Sequence, residues 1–78
     1  MYKPPYEIRF TKHAFVQADK RNIDAEIIRD TVEHGQFRWF GKNRVRIVKR
    51  YHKMTVVCVD EKVGKVIRIV TITKKEWL

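Results

Sequence analysis

The sequence predicts an α+β fold in which two N-terminal helices pack on one face of a four- to five-stranded antiparallel meander sheet. Apolar residues recur with a helical period as far as Gly35, and the period changes to two after that residue. Short polar turns separate the later segments, which favours antiparallel pairing of strands that follow one another. A chain of 78 residues has room for one core, so we expect residues 1–78 to form a single domain.

A short strand and a helix are predicted at the start of the chain. Residues 6–10 alternate apolar and charged side chains, as in a half-buried strand. Thr11 can cap a first helix that runs to about residue 22. The residues of this helix that we expect to face the core are Ala14, Phe15 and Ala18.

The second helix has the clearest boundaries in the sequence. Asp24 is a good N-cap residue, and Ile23 before it can contact Ile28 across the first turn. Gly35 is suited to a left-handed stop at the end of this helix. Loss of the cap in Asp24→Ala is therefore expected to cost about 0.5–2 kcal/mol of stability.

Four more strands are predicted after the helices, at residues 36–40, 44–51, 54–59 and 65–73, with a loop over residues 60–64. The third of these segments is apolar on both faces, which is typical of a central strand. In the last strand either of two alternating sets can face the helices: Val66, Arg68, Val70 and Ile72, or Ile67, Ile69, Thr71 and Thr73.

Charge is segregated along the chain. The formal net charge of +9 lies in residues 36–78, which carry 12 basic and three acidic residues, because residues 1–35 carry six of each. A surface that only needs to be soluble usually intersperses acids among its bases. Segregated basic charge instead favours a polyanionic partner, and we expect that partner to be nucleic acid.

Alternation predicts an arginine row, Arg44, Arg46 and Arg50, on the sheet face that points away from the helices. Val45 and Ile47 would then face the helices. The residues expected to contact nucleic acid are this row and its neighbours: Arg38, Trp39, Lys42, Arg44, Arg46, Lys49, Arg50, Lys53 and Arg68.

Aromatic residues are interleaved with these bases, a combination suited to stacking unpaired bases. Trp39 and Phe40 precede a turn, so we expect one of them to be exposed. For Phe37 and Tyr51 ordinary core packing is the better prediction.

Several classes of site lack support in the sequence. The single cysteine, Cys58, lies in an apolar run and excludes a disulfide framework within the chain. Neither a signal peptide nor a membrane-spanning segment is expected, so a cytoplasmic protein without membrane contacts is predicted. The histidines lie far apart and no carboxylates cluster among the basic strands, so no metal site and no cofactor are expected.

Two histidines are candidates for phosphate chemistry. Cleavage of RNA through its own 2′-hydroxyl needs proton-transfer groups and cations that stabilise the charged phosphate. His13 or His52 could transfer protons, since an unperturbed imidazole titrates near pH ~6.5, and the arginine row could hold the phosphate. A histidine at a helix start or in a turn is more often a structural hydrogen-bonding residue, so the alternative stays open.

Three short motifs resemble a family of small bacterial and archaeal domains: Phe10-Thr11-Lys12-His13-Ala14, Arg21-Asn22-Ile23 and Ile69-Val70-Thr71-Ile72. That family is similar to the RelE and BrnT toxins, which are placed with metal-independent ribonucleases. The resemblance implies a RelE-like fold, a ribonuclease of a toxin–antitoxin system and an acidic antitoxin as partner. It also implies a catalytic set of His13, Arg21, Thr71 and one arginine of the strand over residues 44–51, either Arg44 or Arg50. His52 is a further candidate because its imidazole could transfer protons.

Two functions of different class are consistent with these features. The first is a metal-independent endoribonuclease that binds RNA on its basic sheet face, on or off the ribosome. The alternative is a non-catalytic nucleic-acid-binding module that uses the same face. A structural partner in a protein complex is a third possibility, and the oligomeric state is left open.

Overall fold

A computed structural model of the chain describes residues 2–76. This part of the chain contains two helices and six strands, in the order β1 (Tyr2–Lys3), β2 (Tyr6–Phe10), α1 (Lys12–Lys20), α2 (Ala25–His34), β3 (Gln36–Phe40), β4 (Arg44–Arg50), β5 (Met54–Val63) and β6 (Val66–Glu76). The α+β class is confirmed. None of the helices in residues 2–76 is both long enough and apolar enough to span a bilayer.

The strands form one mixed sheet in the order β1-β2-β6-β5-β4-β3. Strands β3 to β6 form the predicted antiparallel meander. The prediction of a purely antiparallel sheet is wrong, however, because β2 pairs in parallel with β6, with Ile8 beside Ile67. The two-residue β1 then adds an antiparallel edge to β2. The sheet therefore has five strands of five residues or more and a short sixth strand at its edge.

Strand β5 is longer than the sequence predicts. The expected loop over residues 60–64 is wrong, because Asp60 continues the strand with Val45 and Ile69 as neighbours. The ladder between β5 and β6 is irregular at this point, where Val59 pairs with Thr71 and Val70 has no partner of its own. Such a bulge reverses which side chains face each layer.

The bulge determines which side chains of β6 face the helices. Ile67, Ile69 and Ile72 are all fully buried, so neither simple alternating set is correct. Thr71 pairs with Val59 and is turned to the face opposite the helices, as is the exposed Arg68.

Helix α1 begins as predicted and buries a narrow stripe. The Thr11 side chain accepts a hydrogen bond from the Ala14 N–H at 3.2 Å and donates to the Ile69 carbonyl at 3.0 Å. Ala14 and Ala18 are buried, but Phe15 is 58% exposed, so its predicted core position is wrong. The stripe is narrow because only one face of α1 lies against β6, and Phe15 lies at its margin.

Helix α2 has the predicted ends but not the predicted end geometry. Asp24 occupies the N-cap position without making a side-chain capping bond. Gly35 is extended, with φ −72°, and not left-handed. Glycine is required there for another reason: a Cβ atom would overlap the Thr31 carbonyl oxygen and lie 3.0 Å from the Val48 carbonyl oxygen.

The core lies between the helices and one face of the sheet. Within the described residues it contains thirteen buried apolar side chains: Ile8, Ala14, Ala18, Ile23, Ile28, Val32, Val45, Ile47, Val56, Cys58, Ile67, Ile69 and Ile72. Phe37 and Tyr51 pack against this core, as predicted. The helices pack on this face. The other face of the sheet, the open face, carries the arginines of β4 together with the half-buried Val48, Val57 and Val59.

Candidate nucleic-acid interface

The arginine row is formed by simple alternation along β4. Arg44, Arg46 and Arg50 are exposed, whereas Val45 and Ile47 between them are fully buried under the helices. A regular strand places alternate side chains on opposite faces, so the three guanidinium groups share the open face. The predicted arginine row is confirmed as an arrangement of side chains.

Neighbouring strands extend this basic surface across the sheet. The strand registers place Arg38 beside Arg46 and Arg68 beside Arg9, all on the open face. Among residues 2–76, the basic strand residues of this face are Arg9, Arg38, Arg44, Arg46, Arg50, Arg68 and Lys75, and the acidic ones are Glu7 and Glu61. The Glu7 carboxylate forms an ion pair with Arg9 at 3.1 Å. Apart from this pair, the charged strand residues of the open face are mostly basic.

Among residues 2–76, two pairs of like charges lie directly across the strands of this face: Arg9 with Arg68, where Glu7 pairs with Arg9, and Arg38 with Arg46. Arg38 and Arg46 are register partners on β3 and β4, and like charges in such positions destabilise a sheet. Each of these two guanidinium groups contacts an uncharged side chain. Arg38 donates a hydrogen bond to the Gln36 side chain at 2.8 Å, and the Arg46 guanidinium lies 5.0 Å from the Phe40 ring centroid. An anion bound between the two arginines would remove their repulsion.

Lys49 does not belong to this surface, contrary to the prediction. It follows the alternation of Val45 and Ile47, so it faces the helices, where its ammonium pairs with the Asp30 carboxylate of α2. That ammonium, with a hydrogen bond donated by the Tyr51 hydroxyl at 2.7 Å, lowers the pKa of Asp30 below its ordinary value. Lys49 therefore holds α2 against β4.

Trp39 also lies on the helix side of the sheet, contrary to its predicted place among the basic residues. Its register partner is the buried Val45, and its ring contacts Tyr6 of β2 with 5.8 Å between centroids. Strands β2 and β3 are separated by three others in the sheet order. Contact between them means that the sheet curls around its helix-facing side. Phe40, one residue later, lies on the open face. Both residues are exposed, Trp39 at 45% and Phe40 at 39%, where the sequence predicted exposure of one of them.

The candidate catalytic residues are not brought together. His13 is exposed in the first turn of α1, and Arg21 at the end of α1 donates to the Ile72 carbonyl at 2.6 Å, so both belong to the helix layer. Arg50 and Thr71 lie on the open face. The sheet thus separates the set implied by the resemblance into two pairs on opposite sides.

The remaining predicted residues lie in turns at opposite ends of the sheet. Lys42 is exposed in the turn between β3 and β4, next to Phe40. His52 and Lys53 are exposed in the turn between β4 and β5, directly after Arg50 and Tyr51. His52 and Lys53 also line a cleft with Ile27 of α2.

Two features were not predicted from the sequence. One is a cleft of about 590 Å³ lined by Ile27, Tyr51, His52, Lys53, Met54 and Glu76. The other is Asp60, which is fully buried on the helix-facing side of β5 with both carboxylate oxygens unpaired in the described part of the chain. Burial raises the pKa of Asp60 to about 8 and that of Cys58, two residues earlier, to about 12. The apolar run of residues 56–59 that leads directly into Asp60 is the sequence signal for a strand that continues through this residue.

The comparisons with known proteins add no relatives. The chain matches no family model, no curated protein and no solved structure. Within residues 2–76 no three His, Cys, Asp or Glu side chains are grouped so that they could hold a metal ion. The function proposed for the open face therefore depends on the geometry and charge of that face.

Proposed function

We propose that this protein binds RNA on the open face of its sheet. The observation that carries the proposal is the arginine row of β4, extended by Arg38 and Arg68 on neighbouring strands and opposed mainly by Glu61. Guanidinium groups suit this ligand because they bind phosphate oxygens in a bidentate manner and remain charged at every physiological pH.

The layout of charge supports binding to an extended polyanion. Strands lie about 4.8 Å apart in a sheet, so arginines on adjacent strands can follow the phosphates of one backbone. Each phosphate contact releases counterions, and this release gives the affinity a strong dependence on salt. The Arg38–Arg46 repulsion, present in the free protein, is relieved in the complex and adds to the affinity.

The proposal is tested with a labelled single-stranded oligoribonucleotide, whose binding is followed by fluorescence anisotropy over a series of salt concentrations. Arg46→Gln should weaken binding and reduce the slope of log Kd against log salt by about 0.7, the value for one phosphate contact with a single strand. Arg29→Gln, in α2, removes the same charge from the helix side and should change neither quantity. Equal effects of the two variants would contradict an interface on the open face.

A metal-independent endoribonuclease is the second candidate, and one arrangement favours it. Arg50 lies on the open face at the end of β4, with Thr55 and then Lys75 beside it on the next two strands. The exposed His52 follows in the turn. Two cations for the phosphate and an imidazole for proton transfer are the groups that this cleavage requires.

Cleavage is measured by incubating the pure protein with RNA in EDTA. If the second candidate is correct, Arg50→Ala and His52→Ala abolish cleavage, whereas His34→Ala, an exposed histidine of α2, leaves it unchanged. His13→Ala should also have no effect, because His13 lies in the helix layer. Binding without cleavage leaves the first proposal standing as a non-catalytic module.

The acidic antitoxin that the resemblance implies is proposed to compete for the same surface. An acidic protein segment and RNA would both neutralise the arginine row, so their binding would be mutually exclusive. A partner that binds the helix side instead would leave the RNA affinity unchanged.

A further inference from the structure

We infer that the open face selects single-stranded RNA over duplex RNA, with Phe40 as a stacking site for an unpaired base. This inference rests on the proposed RNA binding and names the form of RNA that the surface accepts. Trp39, the aromatic residue predicted for this role, is turned to the other side of the sheet and cannot share it.

Phe40 has the environment of a ligand-contacting ring and not of a core residue. Phe40 is 39% exposed and lies on the open face, where its register partner is Arg44. The Arg46 guanidinium lies 5.0 Å from its centroid, so a cation already stacks on the ring. A base can extend such a stack, since both aromatic rings and guanidinium planes stack on nucleobases.

Cations surround this ring on the strand and turn positions nearest to it. Arg38 precedes it by two residues on the same face, Lys42 follows it in the turn, and Arg44 and Arg46 lie on β4. Phosphates on both sides of a stacked base would therefore each meet a positive group. This combination of one exposed ring and flanking cations is how single strands are bound without base-specific hydrogen bonds.

The position of Phe40 on an edge strand gives the base room to enter. Strand β3 is the last strand of the sheet that residues 2–76 form, so none of the described strands pairs with β3 on its outer side. A duplex offers only phosphates and groove edges to such a ring, because its bases are already stacked on one another. The stacking part of the affinity is therefore gained only by unpaired nucleotides.

The test compares one oligoribonucleotide as a single strand and annealed to its complement, with wild-type protein and variants at Phe40. Wild-type protein should bind the single strand more tightly. Phe40→Leu should lower single-strand affinity by about 5- to 150-fold, the range for loss of one stacked base, and leave duplex affinity unchanged. Phe40→Tyr keeps the ring and should keep the affinity. Phe15→Leu, at an exposed phenylalanine of the helix layer, is the matched control.

The possible results distinguish the Phe40 stacking site from the RNA binding on which it rests. Equal wild-type affinity for single strand and duplex, or an unchanged affinity in Phe40→Leu, overturns the stacking site while salt-dependent RNA binding still stands. Absence of salt-dependent binding to either RNA overturns both. The wild-type comparison needs no variant, and circular dichroism establishes that Phe40→Leu is folded before its affinity is interpreted.

Discussion

Replacing Asp60 by asparagine should stabilise the protein at neutral pH and remove a pH dependence that the wild type carries. The Asp60 side chain is fully buried, and both of its oxygens lack a partner within residues 2–76. Its strand neighbours Val45 and Ile69 are apolar. A carboxylate in such surroundings is costly, so the group stays protonated in the folded state, and its pKa is raised from the ordinary 3.8 to about 8.

The sign and size of the effect follow from this raised pKa. Between about pH 4 and pH 8 the folded protein keeps a proton that the unfolded chain releases, so stability falls as the pH rises. The loss is about 1.4 kcal/mol per pH unit, or about 4 kcal/mol from pH 4 to pH 7. Below this window both states are protonated and above it both are ionised, so Asp60 adds no further slope.

Urea denaturation of wild type and Asp60→Asn at pH 5, 6, 7 and 8 measures this effect. The difference in free energy of unfolding between the two proteins should grow by about 1.4 kcal/mol per pH unit from pH 5 to pH 7 in favour of the asparagine variant. It should grow by less from pH 7 to pH 8, where the folded protein begins to ionise. All other titrating groups are common to both proteins and cancel in the difference. A difference that stays constant from pH 5 to pH 8 would refute the reasoning, because it would mean that Asp60 ionises freely in the folded state.

Four further substitutions test the packing that supports the open face. Gly35→Ala should lower the free energy of unfolding by about 1–3 kcal/mol, because its Cβ would overlap the Thr31 carbonyl oxygen; an unchanged melting temperature would contradict that contact. Thr11→Ala should cost about 1 kcal/mol and Asp24→Ala less than about 0.5 kcal/mol, since only Thr11 makes a capping bond; thermal melts showing the reverse order would overturn this assignment. Lys49→Met should lower stability but leave RNA affinity unchanged, whereas a loss of affinity would place Lys49 on the interface.

Local patterns predicted the parts of the fold that local interactions determine. The arginine row, the Thr11 cap and the limits of α2 follow from alternation and capping within a few residues, and all three are present. The four-strand meander was also predictable, because short turns leave few other ways to pair β3 to β6.

Long-range pairing was beyond these patterns. Nothing in residues 6–10 indicates that β2 pairs in parallel with β6 at the far end of the chain. The bulge at Val70 moves Thr71 to the open face, and period-two counting has no means of detecting it. The polar residues from Asp60 to Gly64 indicate a loop between two strands, and no local pattern shows that the Asp60 side chain lies in the core.

The directions of the candidate side chains were predicted correctly where they followed from alternation within one strand. Arg44, Arg46 and Arg50 are in that group. Lys49 fits the predicted interface by its charge. Its place in the alternation, which it shares with Val45 and Ile47, nevertheless points its side chain towards α2. Trp39 and Phe40 were equivalent in sequence, and only the register with β4 shows that Phe40 faces outwards.

The NMR signals of the arginine side chains test most directly where RNA binds. In a titration of ¹⁵N-labelled protein with single-stranded RNA, the Nε–Hε signals of Arg38, Arg44, Arg46 and Arg68 should shift, while those of Arg21 and Arg29 in the helix layer should not. That pattern would place the RNA on the open face. Shifts confined to Arg21 and Arg29, with the open-face signals unmoved, would contradict the account.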